Sequence, residues 1–177
     1  MPTSLNKWPV VPSSIDPRLR VIKIPGTKRS VRVRRDAAPL FAAFLADWQR
    51  LMPERLKLDK GPVDGYVKRP PRLGQGWSNH ASGTAVDVRY DVLKPDGKAH
   101  MTAAEKKILK KIVDTYVTWD QHNVLANGAW WKTVDEMHTE LSQGWDRNAK
   151  RDTTRADVAN VIARLKIDKN GNRPLES

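Results

Sequence analysis

The chain has 177 residues, 39% of them hydrophobic, which is enough for one sizeable core and too little for two full domains. Its 32 basic residues outnumber 20 acidic ones for a net charge of +12, so polyanions are natural partners. The lack of cysteine excludes disulfides and thiolate ligands, leaving histidine and carboxylates as the strong metal donors, and no apolar run is long enough to span a bilayer.

In chain order, residues 1–18 form an extended, turn-rich leader around Pro9, Pro12 and Pro17, without the basic-then-apolar pattern of a signal peptide. Residues 19–24 and 30–34 read as strands around a Pro25-Gly26 turn. The cluster from Lys28 to Arg35 alternates basic residues with valines, as a half-exposed strand does. It serves either as a merely solvated face or as an attractant for a polyanion.

Asp36 is placed to cap a helix over residues 37–52, whose apolar face carries Leu40, Phe41, Phe44, Leu45, Trp48 and Leu51. A turn-rich stretch over residues 59–76 follows, then a short buried strand at residues 85–88. Thr102 to Glu105 has the form of a capping box opening a helix through about Trp119, with Ile108, Leu109, Ile112, Val113 and Tyr116 inward. Of Trp130 and Trp131, at least one is expected in buried packing and either can wall a cleft. Beyond residue 145 a polar stretch leads to a short amphipathic helix opening at Thr154 and a polar tail. The expected organisation is therefore a leader at 1–18, a catalytic domain at 19–145, and a C-terminal helix and tail at 146–177 docked on it.

The chemistry concentrates in two segments: Ser78-Asn79-His80-Ala81-Ser82-Gly83-Thr84-Ala85-Val86-Asp87 and Asp135-Glu136-Met137-His138. Two imidazoles and a carboxylate, from His80, Asp87 and His138, can make three ligands of a catalytic zinc site with a fourth position open. Gly83 permits a bend that returns Asp87 to His80. Of the acids before His138, Asp135 shares its face if the segment is a helical turn, and Glu136 does so if it is extended. Each segment alone is more often a structural histidine–carboxylate pair, and the two together carry the argument. His100 and His122 lack such company and read as surface or loop histidines.

The pattern of Ser78, His80, Gly83, Ala85 and Asp87, followed by Asp135 and His138, resembles the M15 zinc peptidases, and Ser-Asn-His-Ala-Ser-Gly-Thr-Ala is similar to their phage endolysin members. The resemblance implies an α+β fold with a small antiparallel sheet flanked by helices, like hedgehog domains and DD-peptidases. It implies Zn2+ at His80, Asp87 and His138, and Asp135 as general base, where many relatives have glutamate. Arg69 takes the part of an oxyanion-stabilising arginine, with Lys68 and Arg72 as substitutes, and Tyr66 and Ser78 touch substrate.

The implied activity is hydrolysis of a peptidoglycan stem-peptide bond, L-Ala-D-Glu first and D-Ala-D-Ala as the alternative. The implied course is synthesis in a host cytoplasm and action at the wall after release. The expected partners are peptidoglycan and, through the basic surface, anionic wall polymers, with no specific nucleic acid and a monomeric chain. A basic nucleic-acid-binding protein with structural zinc is the distant alternative.

Overall fold

A computed structural model describes residues 1–71 and 75–174. The architecture is α+β: two antiparallel sheets and three α-helices. Strands β1 (Leu19–Lys23) and β2 (Ser30–Arg34) form a ribbon in register Ile22 to Val31, as their alternation predicts. Val31 and Val33 face inward, but Arg34 departs from the pattern: it is buried, donating from Nη1 to the Pro9 carbonyl at 3.0 Å.

Helix α1 (Ala38–Leu51) is the core of the molecule, with Leu40, Phe41, Phe44, Leu45 and Trp48 fully buried. Burying each such side chain contributes roughly 1.5–3 kcal/mol. Asp36 does not cap it. A 3-10 turn at Arg35–Ala37 leads in, Ala37 is the N-cap without a side-chain bond, Pro39 supplies the preset first turn, and Asp36 pairs with Arg155 at 2.9 Å.

Helix α2 (Ala103–Thr115) opens on the expected capping box of Thr102 and Glu105. It stops short of Trp119 because the chain turns at Tyr116, whose hydroxyl donates to Asp47 at 2.8 Å in the core. Helix α3 (Arg155–Arg164) starts on a second capping box, Thr154 with Asp157, and packs Val158 and Val161 into the same core.

The four-stranded sheet has the order β3-β4-β6-β5, all antiparallel, with β3 at Val63–Asp64, β4 at Ala85–Val88, β5 at Leu125–Gly128 and β6 at Asp135–Leu141. Its central pair, β4 and β6, is buried throughout except at Asp135. The leader is part of this body: Trp8, Val10 and Val11 are buried, and the Trp8 indole donates to the Thr153 carbonyl at 2.8 Å. No helix is long and apolar enough to cross a membrane among the described residues.

Candidate metal centre and its cleft

The register of β4 and β6 sets Asp87 opposite His138, so two of the three ligand candidates meet across one pair of strands. His80 comes from the short 3-10 helix Asn79–Ser82, which Ser78 caps by accepting from the His80 N–H. Gly83 ends that helix at φ +73°, and a Cβ there would press on the Arg34 backbone, so both the left-handed turn and the close approach require glycine. The bend then feeds Asp87 back to His80.

The three ligating atoms of His80, Asp87 and His138 lie within 4.8 Å of one another, all in buried residues. His80 Nε2 is 3.2 Å from both His138 Nδ1 and Asp87 Oδ1, and His138 Nδ1 is 2.9 Å from Asp87 Oδ1. The outer ring nitrogens are each committed: His80 Nδ1 meets the Gly65 carbonyl at 2.6 Å and His138 Nε2 meets Glu140 at 2.8 Å. With those nitrogens donating, the inner face of each neutral ring is a lone pair. Two nitrogen lone pairs and a carboxylate oxygen then converge on one point, an arrangement that repels itself unless a cation lies between them.

The electrostatics say the same. Burial alone would lower the His138 pKa, but its bonds to Asp87 and Glu140 push it up to about 10. Burial would raise Asp87, yet bonds from His138 and His80 hold it far below the usual carboxylate range. The site demands positive charge, which a proton meets at one position and a divalent metal meets at all three. The nitrogen and oxygen donor set suits Zn2+.

Glu140 is the residue that sequence reasoning missed here. Its Oε2 also accepts from Asn79 Nδ2 at 2.6 Å and its Oε1 from Gln143 Nε2 at 2.7 Å, so the carboxylate that orients His138 is itself held on both oxygens. It stands two residues after His138 on the same face of a strand, a signal that alternation carries. Behind it, Asn6 donates from its backbone to Asn79 Oδ1 at 2.9 Å and from its side chain to the Leu141 carbonyl at 3.1 Å, so the leader braces the site.

Asp135 and Glu136 are separated by a break in the strand. One step on β5, from Asn127 to Gly128, spans four on β6, from Thr139 to Asp135. This irregularity undoes the alternation that would set Glu136 beside His138. Glu136 is buried against the start of α2 instead, accepting from the His100 and Met101 N–H groups at 2.6 and 2.7 Å, with Lys106 Nζ at 2.9 Å. Asp135 lines the cleft with the metal residues. The Asn127 side chain spans the break, donating to the Glu136 carbonyl at 3.1 Å and to Thr139 Oγ1 at 2.9 Å. Gly128 is required because a Cβ would collide with the Asp135 carbonyl.

The cleft measures about 570 Å3. Arg69 lines it, its Nη2 3.9 Å from Asp87 Oδ2, a long pairing that leaves donors to spare. Ser78 lines it too. Tyr66 does not: its hydroxyl donates to the Val11 carbonyl at 2.8 Å, tying the leader to the loop. Lys68 turns to the face of Trp77, and Arg72 lies outside the described residues.

Trp131 forms one wall, its ring 5.4 Å from that of His138, while Trp130 packs on the core under Arg147. Beside Trp131 stands Trp145, largely exposed. The Trp131 indole donates to Asp146 at 2.9 Å, and burial pushes the Asp146 carboxyl up to about 6. His100 is a loop residue paired with Asp96. His122, read as a surface or loop histidine, does lie in a loop but is fully buried there, meeting Thr153 Oγ1 at 2.9 Å and accepting from the Lys150 N–H; burial lowers its pKa.

Residues 72–141, which contain all three metal candidates and Asp135, match the model of a peptidase family described as D-alanyl-D-alanine carboxypeptidase. No curated protein and no solved structure matches the chain.

Proposed function

We propose, on the match of residues 72–141 to an M15 peptidase model, that this chain is a zinc-dependent hydrolase of the peptidoglycan stem peptide, cutting the L-Ala-D-Glu bond in the manner of a phage endolysin. The observation that carries the reading is the convergence of three buried lone-pair donors at the floor of a cleft that also holds a separate carboxylate, Asp135. A structural metal site has no need of an adjacent cleft with an acid and an arginine in its wall.

When bound by His80, Asp87 and His138, zinc supplies Lewis acidity toward the scissile carbonyl and an activated water. Asp135, in the cleft wall, would be the carboxylate that accepts a proton from the attacking water and returns it to the leaving amine. Arg69 offers its unused N–H donors to the oxygen on which negative charge develops. Glu140 keeps the His138 Nε2 proton in place, so that Nδ1 stays available as a ligand. Trp131 and Trp145 exclude water from one side of the cleft. In this reading the protein is made in a host cytoplasm, reaches the wall after the membrane is breached, and acts as a monomer.

The family description favours a second reading on the same residues, removal of the terminal D-alanine. Incubating the protein with isolated peptidoglycan, with and without chelator, and identifying the released termini by mass spectrometry separates the two. New L-alanine carboxyl and D-glutamate amino ends that vanish with chelator and return with zinc are the expected result. Free D-alanine selects the carboxypeptidase, and no cleavage by metal-loaded protein across several wall types overturns both.

A further inference from the structure

We propose that the outer face of the β1–β2 ribbon, with the loop of residues 169–172 beside it, is a docking surface for a phosphodiester polymer of the bacterial wall. Several cations elsewhere are matched: Arg55 with Glu105 at 2.5 Å, Arg89 with Asp91 at 2.9 Å, Arg147 with Asp114 at 2.5 Å, Arg151 with Asp157 at 2.5 Å. The side chains of Arg20, Lys23, Lys28, Arg29, Arg32 and Lys169 make no hydrogen bond or ion pair among the described residues.

Their placement follows from the strand register. Ile22 and Val31 pair inward, so Lys23 and Arg32 project outward from opposite strands, and Lys28 and Arg29 extend the row around the turn. Between β1 and the 169–172 loop runs a groove of about 450 Å3 lined by Arg20, Lys23, Lys169 and the amides Asn170 and Asn172, with no carboxylate in its wall. The acid nearest in sequence, Asp168, is taken up by the N–H groups of Asn170 and Asn172 and by the Asn172 side chain at 2.8 Å. Six like charges without counter-charges repel one another, and a polyanion relieves this by exchanging its own counterions for them.

The choice of a wall polymer rests on the peptidase reading above and on two features of the patch. The ribbon is joined to the site: the Tyr66 N–H donates to the Arg32 carbonyl and the Arg34 N–H to the Gly83 carbonyl, each at 2.7 Å, so a polymer held here keeps the cleft against the wall. None of the six residues has an aromatic side chain in its row, and the exposed apolar residue between them is Val21, so the stacking platforms that single-stranded nucleic acids use are missing from this face.

The test is sedimentation of the full chain with isolated walls that retain their phosphodiester polymers and with the same walls stripped of them, at rising salt. A variant combining Lys23→Gln, Lys28→Gln, Arg29→Gln and Arg32→Gln is run in parallel. The native chain should bind polymer-bearing walls on the order of 10-fold more tightly, a preference that salt erodes. The variant should lose most of that preference while hydrolysing a soluble stem peptide at the native rate. Equal binding to stripped walls, undiminished binding by the variant, or stronger capture by DNA of equal charge overturns the proposal. If the native chain holds the walls but cuts no stem peptide, the peptidase reading fails and the docking surface stands.

Discussion

The two ends of β6 do different work by different means. From His138 to Leu141 the strand is buried, paired with β4 over His138–Glu140 and with β5 over Thr139–Leu141, and its register with β4 sets the candidate ligand His138 opposite Asp87. At Asp135 the same strand is half-buried and has skipped its register against β5, and Asp135 lines the cleft. Two of the candidate ligands are therefore brought together by regular pairing, whereas the proposed base at a defined offset from them rests on an irregularity with its own supports, here Asn127, Gly128 and Glu136.

Breaking the two ends separately should give different defects. His80→Ala should abolish both metal content, read by atomic absorption, and turnover. Asp135→Asn should retain the metal and lose about 10²–10⁴-fold in kcat, the usual worth of a general base; full activity with metal bound would remove Asp135 from the mechanism. Glu140→Gln keeps the shape but exchanges the acceptor that fixes His138, and metal affinity by competition with a chelator should fall about 10–100-fold.

Asn127→Ala acts on the irregular end. It should lower kcat on the order of 10-fold with metal affinity unchanged, and cost about 1–3 kcal/mol in denaturant unfolding because the Glu136 carbonyl and the Ala129 N–H lose a buried partner. Loss of metal together with rate would mean that the two ends are not separable.

The smallest effect concerns Asp146. Its folded pKa of about 6 stands above the value near 4 of an unfolded aspartate, so the native state holds the proton more tightly. Stability from this group is present at low pH and is lost as pH rises from about 4 through 6. Unfolding of Asp146→Asn, compared with the native chain across that window, should lack this decline, a difference of about 1–3 kcal/mol accumulated between its two ends.

The ligands were legible in the sequence because their geometry is local or follows register. Gly83 turns Asp87 back toward His80, and β4 appears where its apolar run lies. Both capping boxes could be read for the same reason, since Thr102 and Thr154 each act on a residue three positions ahead. The expectation for Asp36 failed because its partner, Arg155, is more than a hundred residues away. The burial of the loop histidine His122 was not legible because the groups it meets, Thr153 and Lys150, belong to a stretch that looks solvated in sequence. The choice between Asp135 and Glu136 depended on a register break, and neither helical nor strand periodicity describes one.

The threads behind the site run between distant parts of the chain: Asn6 to Leu141, Trp8 to Thr153, Asn79 to Glu140. Contacts of such sequence separation form late, after the loop entropy between them has been lost. A ribosome releasing this chain would deliver His80 and Asp87 before the strand that bears His138, and the partners that brace that strand, Asn6 and Asn79, wait for it from far upstream. The proposed metal centre, with its three donors converged, therefore belongs to the finished molecule and not to its precursors on the ribosome.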